Sequence, residues 1–347
     1  MGGCQKMRSV CLIGKDNVNW SVDQDRNNFE RALKELEYPL RGFSADTFLL
    51  VWWSYALSKK YQLLKKIFPN KTWIGVITDD LYHQEKQFLK CNKVIDFWIY
   101  ANTYQKEFLK DHRISENNMF YCPFYVNEKV FKDSKKTRMQ LCKTLDIPYS
   151  KIKDRFLIGS FQRDSLGTDL TKQKWQKNPE LLIKILKDLD GDKFVLVLAG
   201  PRRHYIINKC IRNNIPYIFI GDNDLVKKNK DDIKENTLNL SRIALLYNLI
   251  DLYIVTSKSE GGPKAIIESS ISKKSILSTV VGMAPDLLIK ESLCYSKQEF
   301  VSKIERLIKD PDFKKKIINE NYKRVSKINN WRSFKKRVDD IICKAKK

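Results

Sequence analysis

Short apolar segments alternate with longer amphipathic segments along almost the whole chain. Residues 9–14 form an apolar run that predicts a buried strand, and apolar residues at helical spacing follow at 23–36. The order of strand, helix and strand at this spacing is typical of right-handed crossover units, which build a parallel sheet. In the first half of the chain the same pattern predicts further strands at 48–53, 72–78 and 94–101, and a helix at 57–68.

The pattern restarts after residues 134–153, where charge rises and apolar density falls. It predicts strands at 155–161, 193–199, 217–220, 252–256 and 275–279, and helices at 178–189, 242–249 and 264–272. We therefore predict an α/β protein with two doubly wound domains of similar size. In such sheets ligands bind outside the carboxyl ends of the strands, so we expect the two domains to face each other across a ligand-binding cleft.

Charge sets this chain apart from an average globular protein. Its 347 residues contain 65 Lys and Arg against 41 Asp and Glu, which gives a formal net charge of +24. Such a surplus attracts polyanions, among them nucleic acids, anionic membranes and phosphorylated small molecules. No apolar run approaches the ~18 residues of a membrane span, and the first residues lack the apolar stretch of a secretory signal. We expect a cytoplasmic protein, with peripheral contact to a membrane as an open alternative.

Eight cysteines and three histidines offer little material for a metal centre. The cysteines are scattered and no two form a C-x-x-C pair, which rules out zinc ribbons and zinc fingers. Several lie in apolar runs, where a buried reduced thiol is the ordinary state. We therefore predict no metal site and no disulfide framework. We expect His112 and His204 at the surface, with the alternative that His204, which follows a strand end, lines a ligand pocket.

The most informative segment is 257–268, with the sequence Ser-Lys-Ser-Glu-Gly-Gly-Pro-Lys-Ala-Ile-Ile-Glu. It follows an apolar strand, turns on two glycines and enters a helix whose N–H groups and dipole favour an anion. Glu260 lies before this turn and Glu268 lies about two turns into the helix. Because carboxylates accept hydrogen bonds from hydroxyls, the pair suggests a sugar on each side of a bound phosphate. The spacing alone fits equally well a helix N-terminus with two surface glutamates.

The two glutamates resemble the E-x7-E motif of retaining GT-B glycosyltransferases, in particular those of family 4. Other segments of the second half resemble motifs of the same family, whereas in the first half only the pattern is similar. The resembling segments are a strand with its arginine at 159–163, a helix entry at 177–179, strand ends at 194–203 and 218–221, a helix at 246–251 and a turn at 279–282. Trp331 resembles the tryptophan of the final helix, which crosses back onto the first domain.

The resemblance implies a GT-B architecture of two Rossmann-like domains that face each other across a cleft. Residues 1–130 would form the N-terminal, acceptor-side domain, completed by the C-terminal helix at about 329–345. Residues 131–153 are the expected connector. Residues 154–328 would form the C-terminal domain, which binds the nucleotide sugar.

Carried over residue by residue, the resemblance implies a donor site. Arg163 and Lys177 would bind the donor diphosphate, Glu260 the hydroxyls of the transferred sugar and Glu268 the ribose. The first three are the implied catalytic residues, since fixed cations stabilise the charge that grows on a departing diphosphate. The other implied donor-binding residues are Gly261, Gly262, Lys264, Ala265, Gly221 and Arg202. Where the family has E-G-F-G this chain has Glu-Gly-Gly-Pro, so Pro263 removes one backbone donor.

Acceptor-side candidates come from two loops of the first half. Asp23 lies in the loop 17–25 after the first strand, and Asp79, Asp80 and His83 follow another strand at the same edge. A carboxylate or imidazole in these positions could orient the acceptor hydroxyl. It is equally open that Asp79 or Asp80 caps the helix that follows.

The implied reaction transfers a sugar from a UDP- or GDP-linked donor to a hydroxyl of a glycan or glycolipid, with retention at the anomeric carbon. It needs no cofactor and no metal ion, because side-chain cations and the helix N-terminus meet the phosphate charge. Two alternatives stay open, a GT-B-type sugar-nucleotide epimerase and a basic nucleic-acid-binding protein. We expect no nucleic-acid partner, since the chain has no recognisable reading module or aromatic stacking platform.

The predicted helix at 57–68 combines basic and apolar residues. Its lysines are Lys59, Lys60, Lys65 and Lys66, and its apolar residues are Leu57, Tyr61, Leu64 and Ile67. Basic helices of this kind, here and in the Lys-rich segment 303–347, could rest on an anionic membrane that carries a lipid-linked glycan. The alternative is a solvated face on a lysine-rich chain.

Overall fold

The computed structural model describes residues 8–15 and 21–346. These residues form two compact units. One contains the described residues up to Tyr125 and those from Ile328 onward, and the other is Val126–Lys327. Each unit is built on one parallel sheet. No helix within the described ranges is long and apolar enough to cross a membrane.

The first unit has a five-stranded sheet in the order β1-β2-β3-β4-β5, so its strands follow one another in chain order. The strands are β1 (Val10–Ile13), β2 (Thr47–Leu50), β3 (Thr72–Val76), β4 (Phe97–Tyr100) and β5 (Met119–Tyr121). The helices are α1 (Ser21–Glu35), α2 (Lys59–Ile67), α3 (Glu85–Cys91), α4 (Thr103–Asp111) and, from the end of the chain, α14 (Trp331–Lys344).

Both faces of this first sheet are apolar, because successive side chains of a strand point to opposite sides. Leu49 and Ile74 pack with residues of α1 and α14 on one face. Phe48 and Trp73 pack with residues of α3 and α4 on the other face. The C-terminal helix therefore completes the core of the first unit.

The second unit has a six-stranded sheet in the order β11-β10-β9-β6-β7-β8. Its strands are β6 (Phe156–Ser160), β7 (Phe194–Ala199), β8 (Tyr217–Ile220), β9 (Leu252–Val255), β10 (Ser275–Thr279) and β11 (Leu293–Cys294). Its helices are α5 (Arg138–Leu145), α6 (Pro179–Lys187), α7 (His204–Arg212), α8 (Asn223–Lys227), α9 (Leu240–Leu249), α10 (Ala265–Ile271), α11 (Ala284–Leu287), α12 (Lys297–Lys309) and α13 (Pro311–Ile328). The strand order reverses between β6 and β9, as it does in a doubly wound sheet.

The elements of the second unit follow the apolar pattern closely. β8 and β10 occupy the predicted spans, because buried parallel strands form continuous apolar runs. The segment 131–153, expected as a connector, instead lies in the second unit and contains α5. A capping box between Thr137 and Gln140 begins this helix, and Arg138 reaches Asp251 at 2.7 Å. The high charge of the segment 131–153 thus comes in part from the polar face of α5, which packs on α9.

The described cysteines are free thiols. Six of them are buried and Cys343 is exposed, while Cys4 lies outside the described residues.

The expectation that His204 lies at the surface was wrong, since this residue is fully buried at the start of α7. Its Nε2 lies 2.9 Å from the carbonyl oxygen of Lys230.

The packing of α14 predicts a large effect of Phe334→Ala. Phe334 is buried, and its ring lies 5.4 Å from that of Phe29 and 5.5 Å from that of Tyr125. Removal of the ring leaves a cavity, so we expect the free energy of unfolding to fall by about 3–5 kcal/mol in urea denaturation. Phe43→Ala removes a ring that is 44% exposed in the same unit, and we expect a loss below about 1 kcal/mol. Equal losses for the two variants would contradict this packing.

Candidate functional site

The switch point of the second sheet brings two predicted site segments together. β6 and β9 are parallel neighbours, with Gly159 opposite Tyr253. Arg163 follows β6, and the loop with Glu260 follows β9, so both segments leave the carboxyl ends of adjacent strands. Open α/β sheets bind their ligands at this position.

An ion pair joins Lys177 and Glu260 at this edge. Lys177 Nζ lies 2.5 Å from Glu260 Oε1, and the Ser257 hydroxyl donates to the same oxygen at 2.7 Å. The side chains of Glu260 and Lys177 are only 11% and 21% exposed. A charge-assisted bond with so little solvent around it is strong, so each side chain fixes the position of the other.

Hydrogen bonds to backbone carbonyls hold the two partner segments in place. The Thr256 hydroxyl lies 3.3 Å from the carbonyl oxygens of Lys177 and Asn178, and the N–H of Lys258 donates to the carbonyl of Gln176 at 2.8 Å. Asn178 has a φ of +48°, a left-handed conformation that Asn tolerates better than most residues. Asn therefore suits this position, directly before Pro179 and the start of α6.

A third loop supports Glu260 from the side of β10. Gly282 has a φ of +51°, and an added Cβ would lie 3.0 Å from the carbonyl oxygen of Glu260 and 3.0 Å from Pro263 Cδ. The Thr279 hydroxyl also donates to the carbonyl of Ser257 at 2.6 Å. The predicted turn at 279–282 therefore packs directly against the loop that carries the glutamate.

Glu268 has a different environment, on α10. The buried Tyr247 hydroxyl donates to Glu268 Oε2 at 2.8 Å. Burial raises the pKa of Glu268, while the Tyr247 hydrogen bond and the charge of Lys264 oppose that rise. The Tyr247 ring packs 5.2 Å from Phe161 and 5.1 Å from Tyr253. Glu268 is thus held by the aromatic cluster beneath the switch point.

The remaining predicted donor residues have varied surroundings. Gly261 is buried in the turn between β9 and α10, where Gly262, Lys264 and Ala265 are half-buried. Arg163 is half-buried in the loop after β6. Gly221 follows β8, where an added Cβ would lie 2.6 Å from Asn236 Oδ1.

Arg202 already has an acidic partner. Its Nη2 lies 2.7 Å from Asp231 Oδ2 and its Nε lies 3.1 Å from Asp231 Oδ1. This bidentate pair lowers the pKa of Asp231. The neighbouring Arg203, to which the sequence assigned no role, is fully buried.

In the first unit, Asp79 accepts hydrogen bonds at the carboxyl end of the sheet. Its Oδ2 lies 3.1 Å from Trp52 Nε1, 3.3 Å from Trp53 Nε1 and 3.0 Å from the Thr78 hydroxyl. Three donors therefore converge on one carboxylate oxygen. Asp79 caps none of the described helices, and its side chain contacts residues that directly follow β2 and β3.

Asp80 has the capping role that the sequence left open. Its side chain accepts from the N–H of Tyr82 at 3.1 Å, at the start of the short 3-10 helix Leu81–His83. His83 Nε2 lies 3.7 Å from Asp80 Oδ2. Asp23 is buried in the first turn of α1, and residues 17–20 of its loop lie outside the described residues.

Within the described residues, no three His, Cys, Asp or Glu side chains form a group that could hold a metal ion. The metal-independent reaction stays a prediction.

The sequence analysis assigned no role to three residues that support the site, Thr256, Ser257 and Tyr247. Only the positions of Ser and Thr at strand ends hinted at the first two.

Comparisons with known proteins concern the family of the second unit and the fold of the whole chain. Residues 171–324 match the family described as glycosyl transferases group 1. HepE from Anabaena, solved with UDP and glucose, is similar over 97% of this chain and 100% of its own, with a TM-score of 0.75 and 12% identity. No curated protein matches the sequence.

Two further solved structures are similar over nearly the whole chain. A glycosyltransferase from Rickettsia africae covers 98% of this chain and 99% of its own, with a TM-score of 0.68 and 14% identity. WaaG, a glycosyltransferase involved in lipopolysaccharide biosynthesis, covers 96% and 99%, with a TM-score of 0.64 and 11% identity. The fold is GT-B, and together with the family match this identifies the chain as a glycosyltransferase.

Proposed function

We propose that this glycosyltransferase moves a sugar from a nucleoside-diphosphate sugar to a hydroxyl of a glycan or glycolipid, with retention at the anomeric carbon. The observation that carries the proposal is the Lys177–Glu260 pair at the switch point. It offers a cation and a hydrogen-bond acceptor at one place, which is what the junction between a diphosphate and a sugar requires. UDP is the nucleotide we favour, since the similar HepE was solved with UDP and glucose.

Each donor-site residue then has a chemical role. Lys177 and Arg163 bind the diphosphate, Glu260 accepts hydrogen bonds from the transferred sugar, and Glu268 accepts from the ribose. Backbone groups of 261–265 contact the sugar and the phosphates. The acceptor oxygen bonds to the anomeric carbon as the bond to the diphosphate oxygen breaks, and the departing phosphate takes the hydroxyl proton. The two cations stabilise this growing charge more than that of the ground state.

On the acceptor side we assign the hydroxyl-orienting role to Asp79. Three hydrogen-bond donors fix its Oδ2, and none of these bonds uses Oδ1. Oδ1 therefore keeps its capacity to accept a hydrogen bond, which we assign to the acceptor hydroxyl. Asp80 uses its carboxylate to cap the following turn, which makes it the weaker candidate.

We expect Glu260→Gln and Lys177→Met each to lower turnover at least about tenfold, or ~1.4 kcal/mol, because each removes a charge from the diphosphate–sugar junction. Turnover is measured as release of UDP from UDP-glucose. The matched control is Glu291→Gln, which breaks another 2.5 Å Lys–Glu pair in the same unit, with Lys316. Wild-type turnover in Glu260→Gln, or an equal loss in the control, would remove the pair from the site.

We expect turnover to persist in excess EDTA, since side-chain cations meet the charge of the diphosphate. The same release of UDP is followed before and after addition of the chelator. Full loss in EDTA, with recovery on addition of Mg²⁺ or Mn²⁺, would show that a metal ion takes part and that the metal-free reaction is wrong.

We further propose that α2 contacts an anionic membrane, with a surface that differs from the one its sequence suggests. Tyr61 and Leu64 pack against the core of the first unit. Lys65 Nζ lies 2.7 Å from both carboxylate oxygens of Asp96, so its charge is already compensated. These residues are not available to a membrane.

The exposed face of α2 carries other residues. Leu63 and Ile67 are 58% and 56% exposed one helical turn apart, and Lys59, Lys60 and Lys66 are exposed around them. We name these five residues the α2 patch. Two exposed apolar side chains surrounded by lysines suit a bilayer surface with anionic headgroups, and each Lys there contributes about 1 kcal/mol.

Replacement of Lys59, Lys60 and Lys66 by Gln should therefore weaken binding to phosphatidylserine-containing vesicles about 100-fold, from ~3 kcal/mol of lost attraction. Co-sedimentation at low salt measures this binding. The control replaces Lys227, Lys228 and Lys230, three exposed lysines of the second unit, by Gln. Equal binding by the two triple variants, or no binding by the wild type, would overturn the membrane contact.

A further inference from the structure

Two charged residues without a role in the proposed reaction are buried beside the donor site. Asp164 and Arg203 are 1% and 0% exposed, and Arg203 Nε lies 3.0 Å from Asp164 Oδ2. Burial raises the pKa of the Asp164 carboxyl to about 6, although the charge of Arg203 opposes the rise. Among the described residues, Arg203 Nη1 finds no hydrogen-bond partner. Burial of an ion pair with an unsatisfied donor lowers the free energy of unfolding, so a contribution to stability does not explain why the pair is present.

Arg203 contacts two residues of the short segment 160–164. Its Nη2 donates to the Ser160 hydroxyl at 3.0 Å, at the end of β6, and its Nε faces Asp164. Residues 160 and 164 are therefore held by one guanidinium, and Arg163 lies between them. The planar guanidinium presents its donors in a rigid fork, so it fixes the geometry between its two partners.

Asp164 is also tied to two other segments. Its Oδ1 accepts from the N–H of Ile206 in the first turn of α7, at 3.2 Å. Its carbonyl oxygen accepts from the N–H of Lys174 at 2.6 Å, just before the 3-10 helix Trp175–Lys177. The residue next to Arg163 is thus anchored on all sides, which leaves the Arg163 backbone little freedom.

We propose that Asp164 and Arg203 are positioning residues, which hold Arg163 where it binds the donor diphosphate. This inference rests on the proposed function of Arg163. A cation on a loop must be held within roughly 0.5 Å to stabilise a phosphate efficiently, and loops need supporting contacts for that precision. The buried pair supplies those contacts without touching the donor itself.

The test measures UDP affinity by calorimetry in a double-mutant cycle of Asp164→Asn and Arg163→Ala. Asn keeps an acceptor for the Ile206 N–H but removes the charge that faces Arg203. We expect Asp164→Asn alone to weaken UDP binding about tenfold. In the Arg163→Ala background we expect the same change to have less than a twofold effect, because its influence passes through Arg163.

A matched control separates positioning from general stability. Asp251→Asn disrupts a second Asp–Arg pair of the same unit, with Arg138, which is half-buried and lies at the opposite ends of the strands. We expect it to lower the melting temperature and to leave UDP affinity unchanged. Should Asp164→Asn fail to fold, Ser160→Ala serves as the second variant, because it removes the hydroxyl to which Arg203 Nη2 donates. We expect it to weaken UDP binding at least threefold, again only when Arg163 is present.

The variants distinguish a wrong donor site from a wrong positioning role. If Arg163→Ala binds UDP as tightly as the wild type, or the wild type binds neither UDP nor GDP, the proposed donor site is wrong and this inference falls with it. If Arg163→Ala weakens binding while Asp164→Asn has no effect or adds fully to it, the donor site stands and the positioning role is wrong.

Discussion

The donor site that we propose for this protein depends on the ion pair between Lys177 and Glu260. The two residues come from loops that follow different strands, and they meet at 2.5 Å in a largely buried place. Loss of either partner would leave a poorly solvated charge, so the two loops are constrained to keep their positions. The hydrogen bonds from Thr256 and the close packing of Gly282 serve the same constraint. A cation and a carboxylate are thereby fixed next to each other, at the point where we propose that the diphosphate and the sugar of the donor join.

Much of the second unit could be predicted from sequence, because the signals there are local. β8 and β10 are continuous apolar runs, and Glu260 and Glu268 stand at a fixed spacing around a strand-to-helix turn. Burial of charged neighbours is not a local property. Arg202 and Arg203 are adjacent and chemically identical, yet Arg202 pairs with Asp231 near the surface while Arg203 is fully buried. Only the packing of β6, β7 and α7 distinguishes the two.

The same difficulty affects the lysines of α2 in the first unit. Lys65 and Lys66 are neighbours in sequence, but Lys65 points toward Asp96, a residue just before β4, and Lys66 is exposed. Helical spacing places both on the helix without showing which one finds an acidic partner 31 residues away. Likewise, the indoles of Trp52 and Trp53 meet Asp79 only because β2 and β3 are adjacent strands.

A crystal structure of the protein with UDP-glucose would show whether the Lys177–Glu260 pair binds the donor. We expect Lys177 Nζ within about 3.2 Å of a diphosphate oxygen and a Glu260 carboxylate oxygen within about 3.2 Å of a glucose hydroxyl. A donor bound with its diphosphate away from the switch point of β6 and β9, with neither side chain in contact, would contradict it.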